Sequence, residues 1–385
     1  MLALRLARGS HPLVLLRRLM VAAASAGVGF LLLCALAYAL AHPGESGASV
    51  LRLSWCLIPL AATVHFAVAV ARTDPSTRPR AGLSAVGLGP ARLAVLAASS
   101  IALSGTLGSM VALLFFLHLR GDLTGLPFDG SAAELLASER SLPLMAVLTL
   151  LALAPLTATA AAALTLRPRR TKDGRDPLPA EAPANAPTGL PWGVALVTAG
   201  LAVETYAARS ASGPSFPLPG EFGSNPVGVL GGWALTALGL AVAGPAITHF
   251  CGTLLQFLRP GPIRLLAGRI LMEESRRIGR PLGVVCAVAS AVITATTVYE
   301  TGPSPIGPLT GLGAALVVVC TTATLLTSAA EARAARAVTT ETLRRLGTPA
   351  ATLRSAAALR AAALLAVFAP LTWVVAALAA VPLSG

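Results

Sequence analysis

Residues 142–166 read LPLMAVLTLLALAPLTATAAAALTL, a run without one charged side chain. A helix of about 20 apolar residues is long enough to cross the hydrocarbon core of a bilayer. Eight more runs of similar length follow one another along the chain, and in lipid only helices satisfy their own backbone groups. The sequence therefore predicts an all-α, polytopic transmembrane helical bundle of about nine spans. The predicted spans are 19–41, 51–71, 93–117, 142–166, 190–208, 229–255, 281–299, 309–330 and 356–382.

The composition agrees with a membrane protein and excludes two other classes. Of 385 residues, 55% are hydrophobic and only 12% are charged, with a net charge of +13. A soluble domain carries about 25% charged residues, and a disordered chain is poor in apolar ones. The basic charge is interpreted as the positive-inside bias of membrane proteins, so no nucleic acid is expected as a partner. Lys172 is the only lysine, and this arginine- and alanine-rich usage is typical of a GC-rich bacterial genome.

The distribution of basic residues predicts the orientation in the membrane. With the N-terminus in the cytoplasm, nearly all of the 29 basic residues lie in inside segments. Cytoplasmic loops of membrane proteins carry this excess. We therefore expect a multi-pass protein of the bacterial plasma membrane with a cytoplasmic N-terminus. The exceptions on the outside are Arg52, Arg120, Arg140 and Arg209.

An internal duplication is indicated by a common offset of about 260 residues. Residues 83–93 are similar to 343–353, and the same offset carries the first three spans onto the seventh, eighth and ninth. An even number of spans separates equivalent points, so the two repeats are predicted to be parallel, related by an axis along the membrane normal.

The predicted organisation has four parts. The first repeat occupies residues 1–166 with spans one to four, and a proline-rich cytoplasmic linker occupies 167–191. Two connector spans follow in 192–258. The second repeat, with spans seven to nine, occupies 259–385.

Motifs of common enzymes do not occur in the chain. A phosphate-binding loop needs a Lys followed by Ser or Thr, but Lys172 precedes Asp173. We expect no catalysis by this chain and no cofactor or metal. Glu273 and Glu274 are adjacent and are expected on a solvated helix surface. Glu204 and Glu300 are expected near the outer boundary, where water reaches them.

Two cytoplasmic segments with a Leu-x-x-x-Gly core are the most informative motif. Each has a glycine suited to a left-handed helix stop, then a proline near a helix start, and an arginine on the next helix. Each segment is predicted to fold as a short helix and a tight corner that leads into a membrane helix. Such a protrusion would dock into a partner; an ordinary solvated loop is the alternative. The candidate residues are Leu83, Gly87, Leu88 and Arg92 in the first segment, and Leu343, Arg344, Arg345, Leu346, Gly347 and Arg354 in the second.

These segments resemble the FtsX-like permease family, the membrane subunits of the MacB type of ATP-binding-cassette transporters. That family carries a Leu-Arg-x-Leu-Gly segment between its second and third helices. Residues 343–347 (LRRLG) match it well, 83–87 match it loosely, and 265–271 resemble the amphipathic helix that precedes the first span of a repeat. The chain departs from the family at Ser100 and Arg360, where a Glu is frequent, and it lacks a large extracytoplasmic domain and the last helix of the second repeat.

The resemblance implies a permease coupled to a separate cytoplasmic ATPase, in two copies, through the segments around Gly87 and Gly347. It further implies export or extraction of a lipophilic, amphipathic or peptide substrate, or mechanotransmission. Two alternatives stay open. One is an ion-coupled secondary transporter, which is disfavoured because the spans contain few charged residues. The other is a non-transporting membrane scaffold or sensor.

Overall fold

A computed structural model describes residues 12–73, 90–123, 130–133, 136–167, 188–210, 215–217, 224–257, 261–298 and 307–381. The helices in these ranges are α1 (Pro12–Ala41), α2 (Ser46–Trp55), α3 (Leu57–Thr73), α4 (Pro90–Arg120), α5 (Leu144–Leu166), α6 (Gly189–Arg209), α7 (Val227–Phe257), α8 (Pro262–Val298), α9 (Pro308–Ala335), α10 (Ala337–Arg345) and α11 (Ala350–Ala380). Two three-residue strands, β1 (Ser215–Pro217) and β2 (Ser224–Pro226), pair antiparallel between α6 and α7.

The predicted all-α membrane bundle is confirmed. Nine helical segments in the described ranges are long and apolar enough to cross a bilayer, and each overlaps a predicted span. The second span consists of α2 and α3, which meet in a turn at Cys56. Large apolar side chains such as Leu107 and Met145 are exposed on these helices, as expected of surfaces that face lipid. The chain is therefore a membrane-embedded protein.

Helix α8 is longer than the sequence indicated. We expected a separate amphipathic segment before a span that begins at Pro281, but Pro262–Val298 is one helix of 37 residues. The backbone of α7 approaches closely just before the proline, where Gly279 meets Gly244 and Pro245. At 1.5 Å per residue the helix is about 55 Å long, against about 30 Å of hydrocarbon. Its first half, which carries five exposed arginines, extends beyond the hydrocarbon.

The described contacts divide the chain into two compact units. The first comprises Met1–Gly174 with Pro308–Thr324. In it α1 packs along α4 and α5, with Leu33, Phe116 and Leu151 in the buried core. Ser25 Oγ of α1 donates a hydrogen bond of 2.9 Å to the carbonyl of Gly105 in α4. The two backbones approach closely, because a Cβ atom at Gly108 would overlap the carbonyl oxygen of Ala22.

The second unit comprises Arg175–Gly307 with Leu325–Gly385. Helix α7 packs between α6 and α8, and glycines at both contacts let the backbones approach closely. Helix α8 also packs along α11, where Leu240, Cys286, Phe368 and Val375 form a buried cluster. Ser290 Oγ of α8 donates to the carbonyl of Thr372 in α11 at 3.1 Å.

Helices α4 and α11 have the positions that the predicted duplication requires. Each has 31 residues, their first residues are 260 positions apart, and each packs against the first span of its predicted repeat. The boundary between the two units, after Gly174, lies inside the predicted linker 167–191. The duplication and the four-part division of the chain stay predictions.

Candidate functional site

We call the two segments with a Leu-x-x-x-Gly core, around Gly87 and Gly347, the first and second coupling segments, after the role that the resemblance implies. The second folds as a short helix followed by a tight corner. Helix α10 ends at Arg345 with Leu346 as its C-cap, and Gly347 adopts a φ of +89°. The Gly347 N–H bonds to the carbonyl of Arg344 at 3.0 Å, and the Thr348 N–H bonds to that of Leu343 at 3.1 Å. This pair of bonds is the Schellman motif, in which a left-handed residue ends a helix and satisfies its last carbonyls. The predicted helix stop at Gly347 is therefore confirmed.

The corner leads directly into a membrane helix. Pro349 has extended backbone angles and stands at the N-cap of α11, so the next helix begins at Ala350. A proline suits the start of a helix because it needs no N–H partner there. The predicted sequence of short helix, corner and transmembrane helix is present in the second segment.

The segment is exposed over most of its surface. Leu346 is 77% exposed and Leu343 is half-buried. Arg344, Arg345 and Arg354 are exposed, and Arg345 pairs with Glu341 one turn earlier at 3.3 Å. The corner thus presents an apolar side chain surrounded by arginines, the kind of surface that suits docking to a protein partner.

The base of the segment is fixed by an acidic side chain that we had placed on a solvated surface. Glu274 of α8 is only 8% exposed, so that expectation was wrong, although its neighbour Glu273 is exposed. Glu274 Oε1 lies 2.5 Å from Arg336 Nε, and Oε2 lies 3.8 Å from Arg360 Nη1. One carboxylate therefore connects α8 with two other elements, and we call Glu274, Arg336 and Arg360 the basal triad.

Arg336 connects α9 to α10. It is the single residue between α9 and α10, and its backbone N–H bonds to the carbonyl of Ala332 at 3.3 Å while its own carbonyl accepts from Thr340 at 2.9 Å. Because its side chain reaches Glu274, the junction from which α10 departs is tied to α8. Arg360, ten residues after the start of α11 at Ala350, ties α11 to the same carboxylate.

Helical periodicity was the signal that sequence reasoning missed. Ala267, Leu271 and Glu274 follow one another at spacings of four and three, which places the acid on the buried face of α8. The adjacency of Glu273 and Glu274 suggests a solvated pair and does not reveal this. Arg360 stands out in the sequence only because the family that the motif resembles frequently has Glu there, and nothing in the motif indicates its partner.

The first coupling segment is described only in part. Leu83, Gly87 and Leu88 lie outside the described residues, whereas Arg92 lies exposed on the first turn of α4, which begins at Pro90. The structure therefore brings together the six candidates of the second segment, and of the first it describes Arg92 alone.

A second buried acid lies elsewhere in the same unit. Glu204 of α6 is fully buried, so the expected contact with water was wrong, and Glu300 lies outside the described residues. Trp233 Nε1 of α7 donates to Glu204 Oε1 at 2.6 Å. Glu204 is buried because α6 and α7 pack in backbone contact around it. A Cβ atom at Gly232 would meet the Gly200 carbonyl and Glu204 itself.

Comparison with protein-family models, with curated proteins and with solved structures finds no match for this chain. The functional inference therefore depends on the geometry of the corner and of the basal triad, together with the motif they carry.

Proposed function

We propose that this chain is the membrane subunit of an ATP-binding-cassette transporter of the FtsX-like type. The observation that supports this most is the second coupling segment, where an exposed helix and corner carry the LRRLG motif and are tied at their base to two membrane helices. In this proposal the N-terminus lies in the cytoplasm of a bacterium, since that orientation places the corner on the same side as most arginines.

The proposed coupling works as a lever. A cytoplasmic ATPase that binds around Leu346 moves α10 when ATP binding closes its dimer. Force on α10 reaches Arg336, and the basal triad passes it to α8 and α11, because Glu274 belongs to α8 and pairs with both Arg336 and Arg360 of α11. Rigid helices with defined contacts can carry such coupling between distant sites.

ATP hydrolysis belongs to the partner in this proposal, with one ATPase subunit for each coupling segment and two in all. The transported or extracted molecule is lipophilic, amphipathic or a peptide, or the chain transmits force outward without a substrate. None of these alternatives changes the role of the corner.

The test is co-purification. The tagged chain is purified from its native membranes in mild detergent, the co-purified proteins are identified by mass spectrometry, and the retained P-loop ATPase and its rate of hydrolysis are measured. Leu346→Glu places a charge at the proposed contact, and we expect retention to fall about tenfold or more, as for loss of one interface anchor. Because Leu346 is 77% exposed, the fold should not depend on it.

Thr339→Glu is the matched control, since it adds the same charge to an exposed position of the same helix. It should retain the ATPase. Equal retention by the two variants and the unaltered chain contradicts the assignment of the contact. A retained ATPase whose rate of hydrolysis is the same with and without this chain favours the scaffold. Transport that follows an ion gradient and is unaffected by ATP depletion favours a secondary transporter.

A further inference from the structure

The contact between α6 and α7 contains a buried acid without a counter-charge. Glu204 is fully buried in a span of 21 residues, and its Oε1 accepts from Trp233. Its Oε2 is buried too and has no hydrogen-bond partner among the described residues. A carboxylate in this position would keep a full negative charge away from water with one hydrogen bond to stabilise it.

The elements packed around Glu204 offer no cation in the described residues. Helix α7 carries no Asp, Glu, Lys or Arg between Val227 and Phe257, and β2 is uncharged. The one histidine of α7, His249, lies 16 residues from Trp233, about 24 Å along the helix. On α6 itself Tyr206 and Arg209 are exposed. Helix α11 contributes two arginines, Arg354, which is exposed, and Arg360, which pairs with Glu274.

The two helices pack tightly beside Glu204. Around Glu204 the backbones of α6 and α7 are in direct contact at Gly200 and Gly232, and a single added methyl group at either glycine would overlap the opposite helix. A proton needs no coordination shell and adds no volume, unlike a metal cation with its several oxygen ligands.

We propose that Glu204 is a proton-binding site, which holds one proton on Oε2 while Oε1 accepts the Trp233 indole N–H. The proton comes from water at the end of α6 near Arg209, and taking it up converts the carboxylate to a neutral acid. Loss of the proton leaves a buried charge that α6 and α7 must separate to hydrate, so the proton keeps this helix pair closed. This inference is independent of the proposed ATPase coupling.

Infrared spectroscopy of the full chain in lipid nanodiscs at neutral pH tests the site. A protonated carboxyl has a C=O stretch separate from the stretches of a carboxylate. We expect such a band, a downward shift on ¹³C-glutamate labelling, and its loss in Glu204→Gln. Labelling requires no variant, so the result does not depend on how the Gln variant folds.

Trp233→Phe supplies the second arm, because it removes the hydrogen bond to Oε1 and should shift the band upward without removing it. Trp192→Phe is the control, since that indole is 73% exposed on α6 and should leave the band in place. A spectrum without a glutamate C=O band at neutral pH overturns the proposal. A band that appears only after sodium is removed also overturns it, since the site would then hold a metal cation.

Discussion

Two helix pairs occupy equivalent positions of the predicted repeats: α1 with α4, and α8 with α11. Different interactions hold their corresponding ends together. In the second, Glu274 and Arg360 pair across the helices. The positions 260 residues earlier hold Val14, which is half-buried, and Ser100, whose Oγ bonds within α4 to the Ala97 carbonyl at 2.8 Å. The first region therefore has no ionic connection at these two positions.

Midway along the same helix pairs, it is the first pair that has the closer contact between backbones. Gly108 brings α4 against the backbone of α1, whereas the equivalent residue of α11 is Phe368, a buried ring in an apolar cluster. The first pair is held by close backbone contact and the second by side chains and a charged base. Similar helix orders can therefore serve unlike tasks: a compact pair suits a static scaffold, whereas a charged base suits the transmission of force that we propose for α10.

The largest effect is expected from Glu274→Ala, which removes the centre of the basal triad. Arg336 and Arg360 would then lie side by side without an acid between them. Breaking a largely buried ion pair in this way costs about 3 kcal/mol of the free energy of unfolding. Denaturant titration of the purified protein in mixed micelles measures it.

Glu273→Ala is the control for that experiment, because this neighbouring acid is exposed and should change stability by less than about 0.5 kcal/mol. Equal losses in the two variants would show that Glu274 contributes no more than a surface charge, and the contrast between the two regions would fail.

The compact pair is tested by Gly108→Ala. The added methyl group overlaps the Ala22 carbonyl and the Ser25 side chain, so α1 and α4 must separate. Overpacking of this kind costs about 2 kcal/mol. Gly231→Ala in α7 is the matched control, since a Cβ atom there meets no atom within 4 Å, and it should leave the unfolding midpoint unchanged or raise it.

A smaller effect is expected at the corner. Gly347→Ala forces a side chain into a left-handed conformation at φ +89°, but the added Cβ atom meets nothing within 4 Å. The cost is therefore that of the backbone alone, about 1 kcal/mol. Thermal unfolding should show this loss, and no loss would mean that the corner adopts another conformation in solution.

The smallest effect per residue is expected at the hydroxyl bonds between helices. Ser25→Ala removes the bond to Gly105, and an interhelical bond in a membrane is worth about 0.6 kcal/mol. In the second pair Ser290 and Thr294 both donate to α11, so the double variant S290A/T294A should lose about twice as much. Steric trapping or denaturant titration resolves such differences, and a larger loss from Ser25→Ala would reverse the comparison.

Hydropathy was sufficient to predict the spans, because a lipid environment requires long apolar helices wherever the chain crosses it. The corner at Gly347 was predictable for a local reason: its hydrogen bonds join residues within one turn, and only a glycine is comfortable at that angle. Both predictions depend on residues near one another in the chain.

The two buried acids depend on distant residues, and sequence reasoning misplaced both. Glu204 is buried because glycines on α6 and α7 bring the backbones together, and Glu274 because arginines some 60 and 90 residues later fold back onto it. The sequence offers only a hint of each, a helical spacing that places the acid on the same face as buried small residues. The start of α8 was missed since a proline inside a helix is tolerated where neighbouring backbone packs closely around it.

Site-specific photocrosslinking tests the central claim most directly. A photoreactive residue replaces Leu346 at the corner or Trp373 on the lipid-exposed part of α11, where the side chain is 66% exposed. The chain is irradiated in intact native membranes, and the crosslinked proteins are identified by mass spectrometry. We predict a crosslink to the ATPase from position 346, strengthened by ATP, and none from position 373. Absence of an ATPase crosslink from 346, with both proteins present in the membrane, would contradict the account.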